Sequence, residues 1–390
     1  TDQSCSVDVV DVFFDEIFTA VPDAEYTFLH WRKKQRGFCG GSDKPCRLFT
    51  SGFDGNAALL QFLESDEVFY LEPVFAKPDS WERKASMSQR RMGLGACTAN
   101  GMLYAIGGYD WPAGVSFEGP GLSINEQYDP TTDTWQTMAP MNLGRRWLAV
   151  ASAYGRCYVL GGQQARDQRG ERSVEEYNPQ TNTWRARADM PAARLGHAAV
   201  ALDGKIFVFG GTLSPEDSAA GTVFVYDIEK NSWSSKANMP KARVFSSASV
   251  VNGRTYVMGG TERFGAKASA DTQIYDPANN SWSTLPNMPA RRTEHGASVV
   301  RGKIYIMGGR TDELCPRGPG CSNPPPLSSL DEFDPESGTW ASRSDMLGVR
   351  TAFGSGVLGG RIYAVGGARS GAYARTGGPI MEEYTPPIGN

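Results

Sequence analysis

From about residue 81 onwards, short apolar segments alternate with tight polar turns. Residues 200–209 are typical, because two apolar runs are separated there by Asp203 and Gly204. Asn252 and Gly253 divide a similar segment further along the chain. Asp-Gly and Asn-Gly pairs between strand-forming residues favour two-residue hairpins. The pattern therefore predicts a series of short antiparallel hairpins in an all-β protein.

These hairpins belong to an internal repeat. Six double glycines each close an apolar run, and they begin at Gly107, Gly161, Gly210, Gly259, Gly308 and Gly366. Their spacings of 54, 49, 49, 49 and 58 residues are also the spacings between six tryptophans, Trp81, Trp135, Trp184, Trp233, Trp282 and Trp340. Because two residue types keep the same register, the repeat cannot be a chance feature of composition.

Two further signatures complete each repeat. An aromatic residue, mostly followed by Asp-Pro, precedes the tryptophan, as at Tyr128, Tyr177, Tyr226, Tyr275 and Phe333, and Tyr384 ends the series. A methionine and an arginine four residues later follow each tryptophan. This combination resembles the kelch repeat. The resemblance implies a six-bladed β-propeller, in which each repeat supplies one four-stranded antiparallel blade.

The ends of the chain predict how the ring closes. Trp81 comes before any double glycine, whereas Tyr384 has no tryptophan after it. We therefore expect a strand at residues 81–85 to be the outermost strand of the sixth blade, whose other strands come from residues 350–387. Such a closure removes a free sheet edge.

Residues 1–75 differ from the repeats and are expected to form an acidic extension, separate from a propeller of residues 76–390. They contain 13 acidic and 6 basic residues, net −7, while the remainder has 30 acidic and 33 basic residues, net +3. Val10, Phe13, Phe14, Ile17, Phe18 and Val21 follow helical spacing, which predicts an amphipathic α-helix. A second short helix is expected near residues 56–63. The apolar stripe of the first helix is expected to pack on the propeller or to join two copies of the chain. The alternative is that the carboxylates of this helix approach a basic mouth of the propeller channel.

The overall composition narrows the classes of function. With 39 basic and 43 acidic residues the net charge is −4, which argues against a general nucleic-acid binder. No apolar run approaches the roughly 20 residues of a membrane span. The 45 glycines suit a turn-rich β fold.

The cysteines favour export. Cys39 and Cys46, and likewise Cys315 and Cys321, flank short Gly/Pro-containing loops, which is typical of local disulfides. Asn279 begins a glycosylation sequon, Asn-Asn-Ser. We therefore expect a secreted glycoprotein, with a cytoplasmic protein whose thiols stay reduced as the alternative. Cys97 and Cys157 fall in apolar strands and are interpreted as core residues.

The repeated arginine is the main candidate for ligand binding. Alternation of antiparallel strands places the connections that contain these residues on one face of the ring, and they include Arg91, Arg145, Arg194, Arg243, Arg292 and Arg350. The kelch resemblance implies that the first strand of each blade lines the central channel, so these guanidiniums would surround one channel mouth. Arginine suits carboxylate, phosphate or sulfate groups. The alternative is that each arginine ties strands together.

The connections after the double glycines lie on the same face and vary in length. The first adds Tyr109 and Trp111, which suit stacking on a sugar or anchoring of a peptide. The fifth adds Arg310, and Arg146 and Trp147 follow Arg145 in the second blade. Trp147 is either a ligand contact at the channel or a packing residue.

Catalytic signals are weak. Glu294 and His295 are the candidates for proton transfer, but no second positioned group accompanies them. No motif for a cofactor or a metal is present among the patterns that carry known chemistry.

Three functions remain open. The favoured one is a noncatalytic recognition propeller whose arginine-rich, aromatic-rimmed channel mouth binds an acidic protein, peptide or anionic glycan. The second is a carbohydrate-active enzyme, by resemblance to kelch sialic acid mutarotases, in which arginines grip an anionic sugar and Glu294 with His295 moves protons. The third is a structural or assembly protein that forms homo-oligomers through its N-terminal helix.

The predicted closure has a direct test. Removal of residues 380–390 should delete a central strand of the sixth blade and lower the melting temperature of the whole propeller. Unchanged melting of the truncated chain, measured by circular dichroism, would show that the ring closes elsewhere.

Overall fold

The computed structural model describes residues 15–23, 25–32, 39, 42, 44–49, 71, 73–110, 119–165, 169–311, 326–369 and 378–387. These residues fall into two compact units. One lies within residues 79–386, and the other consists of the residues before Asp79 together with Pro387. All regular elements in the described ranges are β-strands. None of the described segments is a helix with the length and apolarity needed to cross a bilayer.

The first unit contains two separate two-stranded antiparallel sheets. Its strands are β1 (Asp15–Phe18), β2 (Thr27–Trp31), β3 (Cys46–Phe49) and β4 (Pro73–Ala76). β1 pairs with β3, and β2 pairs with β4 through a register shift between Phe28 and His30. Trp31 is buried, and its indole N–H donates to the carbonyl of Lys44 at 2.9 Å.

The predicted N-terminal helix is wrong wherever the structure describes it. Asp15–Phe18 is an extended strand whose backbone groups pair with Cys46–Phe49. The phenylalanine, isoleucine and valine residues that gave the helical spacing also have high strand propensity, and pairing with a distant segment decided the outcome. Residues 10–14 of that helix, and the whole of the second predicted helix near residues 56–63, lie outside the described residues.

The second unit is a six-bladed propeller of four-stranded antiparallel sheets, as predicted. In each of blades 1 to 5, the four strands of the sheet follow one another in sequence. After β5 (Ser80–Lys84), blade 1 has β6 (Gly95–Ala99), β7 (Met102–Ile106), β8 (Asn125–Asp129) and β9 (Thr134–Met138), and blade 2 has β10 (Ala149–Ala153), β11 (Arg156–Leu160), β12 (Val174–Asn178) and β13 (Thr183–Arg187).

The remaining blades repeat this order. Blade 3 has β14 (Ala198–Leu202), β15 (Lys205–Phe209), β16 (Val223–Asp227) and β17 (Ser232–Lys236), and blade 4 has β18 (Ser247–Val251), β19 (Arg254–Met258), β20 (Thr272–Asp276) and β21 (Ser281–Leu285). Blade 5 has β22 (Gly296–Val300), β23 (Lys303–Met307), β24 (Leu330–Asp334) and β25 (Thr339–Arg343), and blade 6 has β26 (Gly354–Leu358), β27 (Arg361–Val365) and β28 (Met381–Thr385).

Blade 6 is completed by the strand that precedes blade 1, which confirms the predicted closure. β5 pairs antiparallel with β28, with Trp81 opposite Tyr384. The aromatic rings of these two residues lie 5.1 Å apart. The first and last strands of the propeller therefore share one sheet, and β28 is not left as an open edge where the two ends of the ring meet.

Burial follows the position of a strand within its blade. The second and third strands are almost wholly buried, whereas the fourth strands alternate between exposed and half-buried residues. Clusters of apolar side chains lie between neighbouring blades, so each blade contributes to two of them. This arrangement explains why the second strands read as continuous apolar runs in the sequence.

Two disulfides connect the described cysteines. Cys39 bonds to Cys46 in the first unit, as predicted. Cys97 of blade 1 bonds to Cys157 of blade 2. Both are buried in the apolar cluster between these blades, in agreement with their interpretation as core residues, but the bond between them was not predicted. Both lie in buried strands of different blades, and the sequence alone does not show which residues of neighbouring blades meet. Cys315 and Cys321 lie outside the described residues.

The Cys97–Cys157 bond should make a large contribution to stability. It closes a loop with a sequence separation of 60 residues, which the chain-entropy estimate converts to about 4 kcal/mol. We expect reductant to lower the free energy of unfolding in urea by about this amount. A Cys97→Ala, Cys157→Ile variant is the matched control, because Ala151 and Ile206 occupy these positions at the next joint. If reductant changes both proteins equally, the effect belongs to Cys39–Cys46 and not to the bond between blades.

Candidate functional site

One face of the propeller carries all the predicted ligand-binding and catalytic residues that the structure describes. It consists of the connections into each first strand and of the described parts of the connections between second and third strands. The former are residues 85–94, 139–148, 188–197, 237–246, 286–295 and 344–353, and the latter are residues 107–110, 119–124, 161–165, 169–173, 210–222, 259–271, 308–311, 326–329, 366–369 and 378–380. We call it the loop face. The opposite face carries the tight hairpin turns.

A closed ring of backbone hydrogen bonds surrounds the channel at the loop face. Six equivalent residues, one per blade, form it: Gly93, Trp147, Gly196, Phe245, Glu294 and Ala352. Each N–H donates to the carbonyl of its counterpart in the preceding blade at 2.7–3.1 Å, and Gly93 closes the circle by donating to Ala352. All six have left-handed φ angles of 53–62°. This conformation turns each peptide so that its two hydrogen-bonding groups point to the two neighbours.

Aromatic side chains fill the channel at this ring. The ring of Trp147 lies 4.8 Å from that of Phe245 and 5.8 Å from that of Tyr109, and Phe264 packs 4.9 Å from Phe245. Glycine at position 196 makes room for this packing, because a Cβ there would lie 2.7 Å from the ring of Phe245. Trp147 and Tyr109 are buried, which favours the packing interpretation over that of exposed ligand contacts.

Blade 5 places a buried ion pair beside the aromatic cluster. The guanidinium of Arg310 holds both carboxylate oxygens of Glu294, through Nη2 to Oε1 and through Nε to Oε2 at 3.1 Å. The hydroxyl of Thr351 also donates to Oε2 at 3.1 Å. Since the carboxylate is engaged by these donors, Glu294 is poorly arranged for proton transfer to a substrate. Arg146 lies above the ring of Tyr109, with 4.8 Å between guanidinium carbon and ring centre.

The six repeated arginines are buried inside their blades. In blades 1, 2, 5 and 6 the guanidinium donates to main-chain carbonyls where the second and third strands separate, as Arg91 does to Gly107 at 2.9 Å. Five of the six also pair with a carboxylate of the same blade at 2.5–2.9 Å, namely Arg91 with Glu126, Arg145 with Glu175, Arg243 with Asp271, Arg292 with Asp331 and Arg350 with Glu382. For these five the geometry favours the role of tying strands together.

Burial and ion pairing shift the pKa of these arginines in opposite directions. Burial lowers the pKa of Arg91, while the charge and hydrogen bond of Glu126 raise it. The same opposition holds at Arg292 with Asp331. Removal of either partner would leave an uncompensated buried charge, which typically costs about 3–5 kcal/mol.

Arg194 of blade 3 is different. No carboxylate among the described residues pairs with it, because Phe224 occupies the strand position where blades 1, 2, 5 and 6 have an acid. Its guanidinium donates instead to the carbonyl of Ala193 at 2.7 Å and the hydroxyl of Thr222 at 2.8 Å. Phe224 lies beneath it at 5.4 Å. Burial lowers the pKa of Arg194, and no neighbouring acid opposes that shift.

The two repeated histidines fill space between blades. Each packs over the first glycine of the preceding blade, since a Cβ at Gly161 or Gly259 would lie 2.8 Å from Cε1 of His197 or His295. The equivalent positions in the other blades are Leu94, Leu148, Ser246 and Phe353. His295 Nε2 lies 2.9 Å from the hydroxyl of Ser247. Glu294 therefore faces Arg310 at the channel, whereas His295 packs between blades, and the two candidate catalytic side chains lie in different environments.

The remaining site predictions have mixed outcomes. The structure brings Tyr109, Arg146, Trp147, Glu294 and Arg310 together at the channel, whereas the repeated arginines stay apart in their blades. Trp111 lies outside the described residues. Asn279 is exposed in the turn after β20, where its side-chain amide donates to Asp276 at 3.0 Å. Within the described residues, no three His, Cys, Asp or Glu side chains are grouped so that they would hold a metal ion.

Sequence reasoning missed three phenylalanines. Phe245 and Phe264 complete the aromatic cluster, and Phe224 replaces the acid of blade 3. The signal for Phe224 was available, because an alignment of the third strands sets it against Glu126, Glu175, Gln273, Asp331 and Glu382.

Comparisons with known proteins agree with this architecture. The KLHDC2/KLHL20/DRC7 Kelch-repeats domain matches residues 147–367, and the Kelch motif matches residues 90–142. The fold and its repeated signatures define a six-bladed kelch β-propeller. The chain belongs to the kelch-repeat family.

The similar curated proteins share only part of their length with this chain. Kelch-like protein 25 of Xenopus tropicalis is 31% identical over 126 residues, which are 32% of this chain and 20% of the relative. Kelch-like protein 15 of Danio rerio is 39% identical over 82 residues, 21% of this chain and 14% of the relative. Kelch-like ECH-associated protein 1A of Danio rerio is 34% identical over 95 residues, 24% and 15% of the two chains. The chain therefore spans a fifth or less of these relatives.

The buried histidines predict a loss of stability in acid. Burial lowers the pKa of His197 and of His295 to about 3, with the charges of nearby arginines adding to the shift. Between about pH 6.5 and pH 3 the unfolded chain binds more protons than the folded one, so stability falls as the pH falls through this window. From pH 7 to pH 5 the loss should be about 2 kcal/mol per histidine.

Urea denaturation at these two pH values measures the effect. The matched variant is His197→Leu, His295→Phe, which copies the residues of blades 2 and 6. It should retain more stability at pH 5, while the contributions of the carboxylates remain common to both proteins. An identical pH dependence of wild type and variant would contradict the assignment.

Proposed function

We propose that this propeller is a noncatalytic recognition module whose loop face binds an acidic segment of a partner protein through Arg194. Kelch propellers are typical protein-binding domains, which supports recognition of a protein. The acidic character of the ligand is inferred from the charge of Arg194 alone, and not from a ring of six arginines.

Arg194 carries the proposal because its charge is not balanced within its blade. The five other repeated arginines each have an intramolecular carboxylate, and their exposed fractions are 0–3%. Arg194 lacks such a carboxylate among the described residues and has the largest exposed fraction of the six, 8%. A desolvated guanidinium without an acid binds an incoming carboxylate more strongly than a fully hydrated one would.

The surroundings of Arg194 limit how a ligand approaches. Nη1 and Nη2 already donate to Ala193 and Thr222, and each keeps one further N–H, whereas Nε is buried and Phe224 covers the lower face of the guanidinium. The remaining donors serve a single carboxylate from the loop face. An extended acidic segment, which presents one side chain at a time, meets this requirement better than a compact polyanion.

The enzyme alternative has less support. An anionic sugar would need several free arginines, but five of the six are engaged within their blades. Glu294 is held by Arg310, and His295 remains neutral because burial lowers its pKa to about 3. An assembly role for residues 1–75 remains a separate hypothesis, since the described part of that segment contains strands and no helix.

The proposal includes export and glycosylation. The buried Cys97–Cys157 bond and the Cys39–Cys46 bond support folding in an oxidising compartment. Asn279 and Ser281 of the sequon are both exposed, which supports a glycan on Asn279.

Thermal stability and calorimetry with defined ligands test the acidic partner. The probes are short capped peptides rich in glutamate, the same peptides with glutamine, and a sulfated oligosaccharide. Glutamate peptides should raise the melting temperature of the wild type, with an affinity that falls as salt increases. Arg194→Gln should weaken their binding at least about tenfold, since a charge-assisted hydrogen bond is lost.

Two further variants separate charge from fold. Phe224→Glu installs the acid found in blades 1, 2 and 6, so it should neutralise Arg194 internally and abolish peptide binding. Arg172→Gln changes an exposed arginine of the neighbouring connection and should leave binding unchanged. Equal binding by wild type and Arg194→Gln would reject the site. A response to the sulfated oligosaccharide alone would replace the acidic protein by an anionic glycan.

A further inference from the structure

Neighbouring blades are joined at their outer edges by a repeated set of three hydrogen bonds, which we call the outer clamp. At the joint between blades 1 and 2, the indole N–H of Trp184 donates to the carbonyl of Ala139 at 2.7 Å. The N–H of Ala139 donates to Oδ1 of Asn182 at 2.9 Å, and the hydroxyl of Tyr177 donates to the same oxygen at 2.8 Å. One residue of blade 1 is thus held through both of its backbone groups.

Four other joints have the same outer clamp. The tryptophan, the clamped residue and the acceptor are Trp135, Ala85 and Asp133 between blades 6 and 1, Trp233, Ala188 and Asn231 between blades 2 and 3, Trp282, Ala237 and Asn280 between blades 3 and 4, and Trp81, Ser344 and Asp79 between blades 5 and 6. A tyrosine hydroxyl binds the acceptor in each case.

The joint between blades 4 and 5 has lost every part of the outer clamp. Pro286 stands at the clamped position and has no N–H to donate. Gly338 replaces the asparagine or aspartate acceptor, and Phe333 replaces the tyrosine. The indole nitrogen of Trp340 is buried and has no hydrogen-bond partner among the described residues.

The inner contact of this joint is also the longest of its kind. In the ring at the channel, Glu294 of blade 5 donates to Phe245 of blade 4 at 3.1 Å, and the other five bonds measure 2.7–2.9 Å. The outer edge of the contact between blades 4 and 5 is therefore held less firmly than those of the other joints. A buried donor without a partner adds a desolvation cost that the other five tryptophans avoid.

The strand closure in blade 6 differs in this respect from the joint between blades 4 and 5. A ring closed by strands from its two ends would be expected to open there, since that sheet alone is formed by strands distant in sequence. Yet Trp81 and Asp79 of the closing strand carry a complete outer clamp to Ser344, and Tyr384 binds Asp79 at 2.6 Å.

We propose that the joint between blades 4 and 5 is a built-in hinge, at which the ring opens before it opens at its strand closure. Opening separates the outer edges of β21 and β25, while backbone pairing within each blade persists. This inference is independent of the acidic ligand.

Hydrogen exchange of the intact chain, followed by mass spectrometry, tests the hinge. Amide exchange should be fastest in β21 and β25 when the fourth strands of the six blades are compared. Faster exchange in β5 and β28 would overturn the proposal, because the closure would then open first. Equal exchange at all six joints would also overturn it.

Two designed variants test the cause. Pro286→Ala, Phe333→Tyr, Gly338→Asn restores the outer clamp with residues taken from the other blades, and asparagine tolerates the left-handed φ of 70° at position 338. It should slow exchange in β21 and β25 about tenfold. Ala188→Pro, Asn231→Gly removes the outer clamp between blades 2 and 3, and should speed exchange in β13 and β17. Unchanged exchange in both variants would contradict the role of the outer clamp. If the first variant fails to fold, the amide exchange of the wild-type chain decides whether this joint is the hinge.

Discussion

Closure of the circle is the constraint on which this propeller depends. Each blade must meet two neighbours at a fixed angle, and the six backbone hydrogen bonds around the channel connect all of them in one cycle. Four of the six residues in this ring are not glycine, although a left-handed conformation costs them roughly 1–2 kcal/mol each. The ring is therefore kept at an energetic cost, which the packing of Trp147 and Phe245 in the channel offsets.

A repeat also defines what counts as an exception. Five arginines with their carboxylates show that blade 3 is unusual at Phe224, and five outer clamps show that Pro286 marks an unusual joint. In a fold without internal repeats, either residue would pass as an ordinary surface or core choice. In this propeller, Phe224 and Pro286 can each be compared with the equivalent positions of the five other blades, which have the same backbone environment.

The sequence predicted the fold much better than the site. Periodic glycines and tryptophans report local turns and strand contacts, so blade number and the pairing of β5 with β28 followed from them. The buried arginines could not be distinguished from exposed ones, because their carboxylate partners lie 28 to 39 positions away. The Cys97–Cys157 bond also depends on which strands of adjacent blades meet. The N-terminal helix failed because apolar spacing over a few turns also fits a strand that finds a distant partner.

The closing strand has a consequence for the order of synthesis. Ser80–Lys84 is made before every other strand of the propeller, but its partner Met381–Thr385 is made last. During translation the first strand must therefore remain unpaired while five blades form behind it, and Tyr384 must reach back across 305 positions to Asp79. Such a chain exposes a strand edge until Met381–Thr385 has been made, which makes this strand a checkpoint between an open and a closed ring.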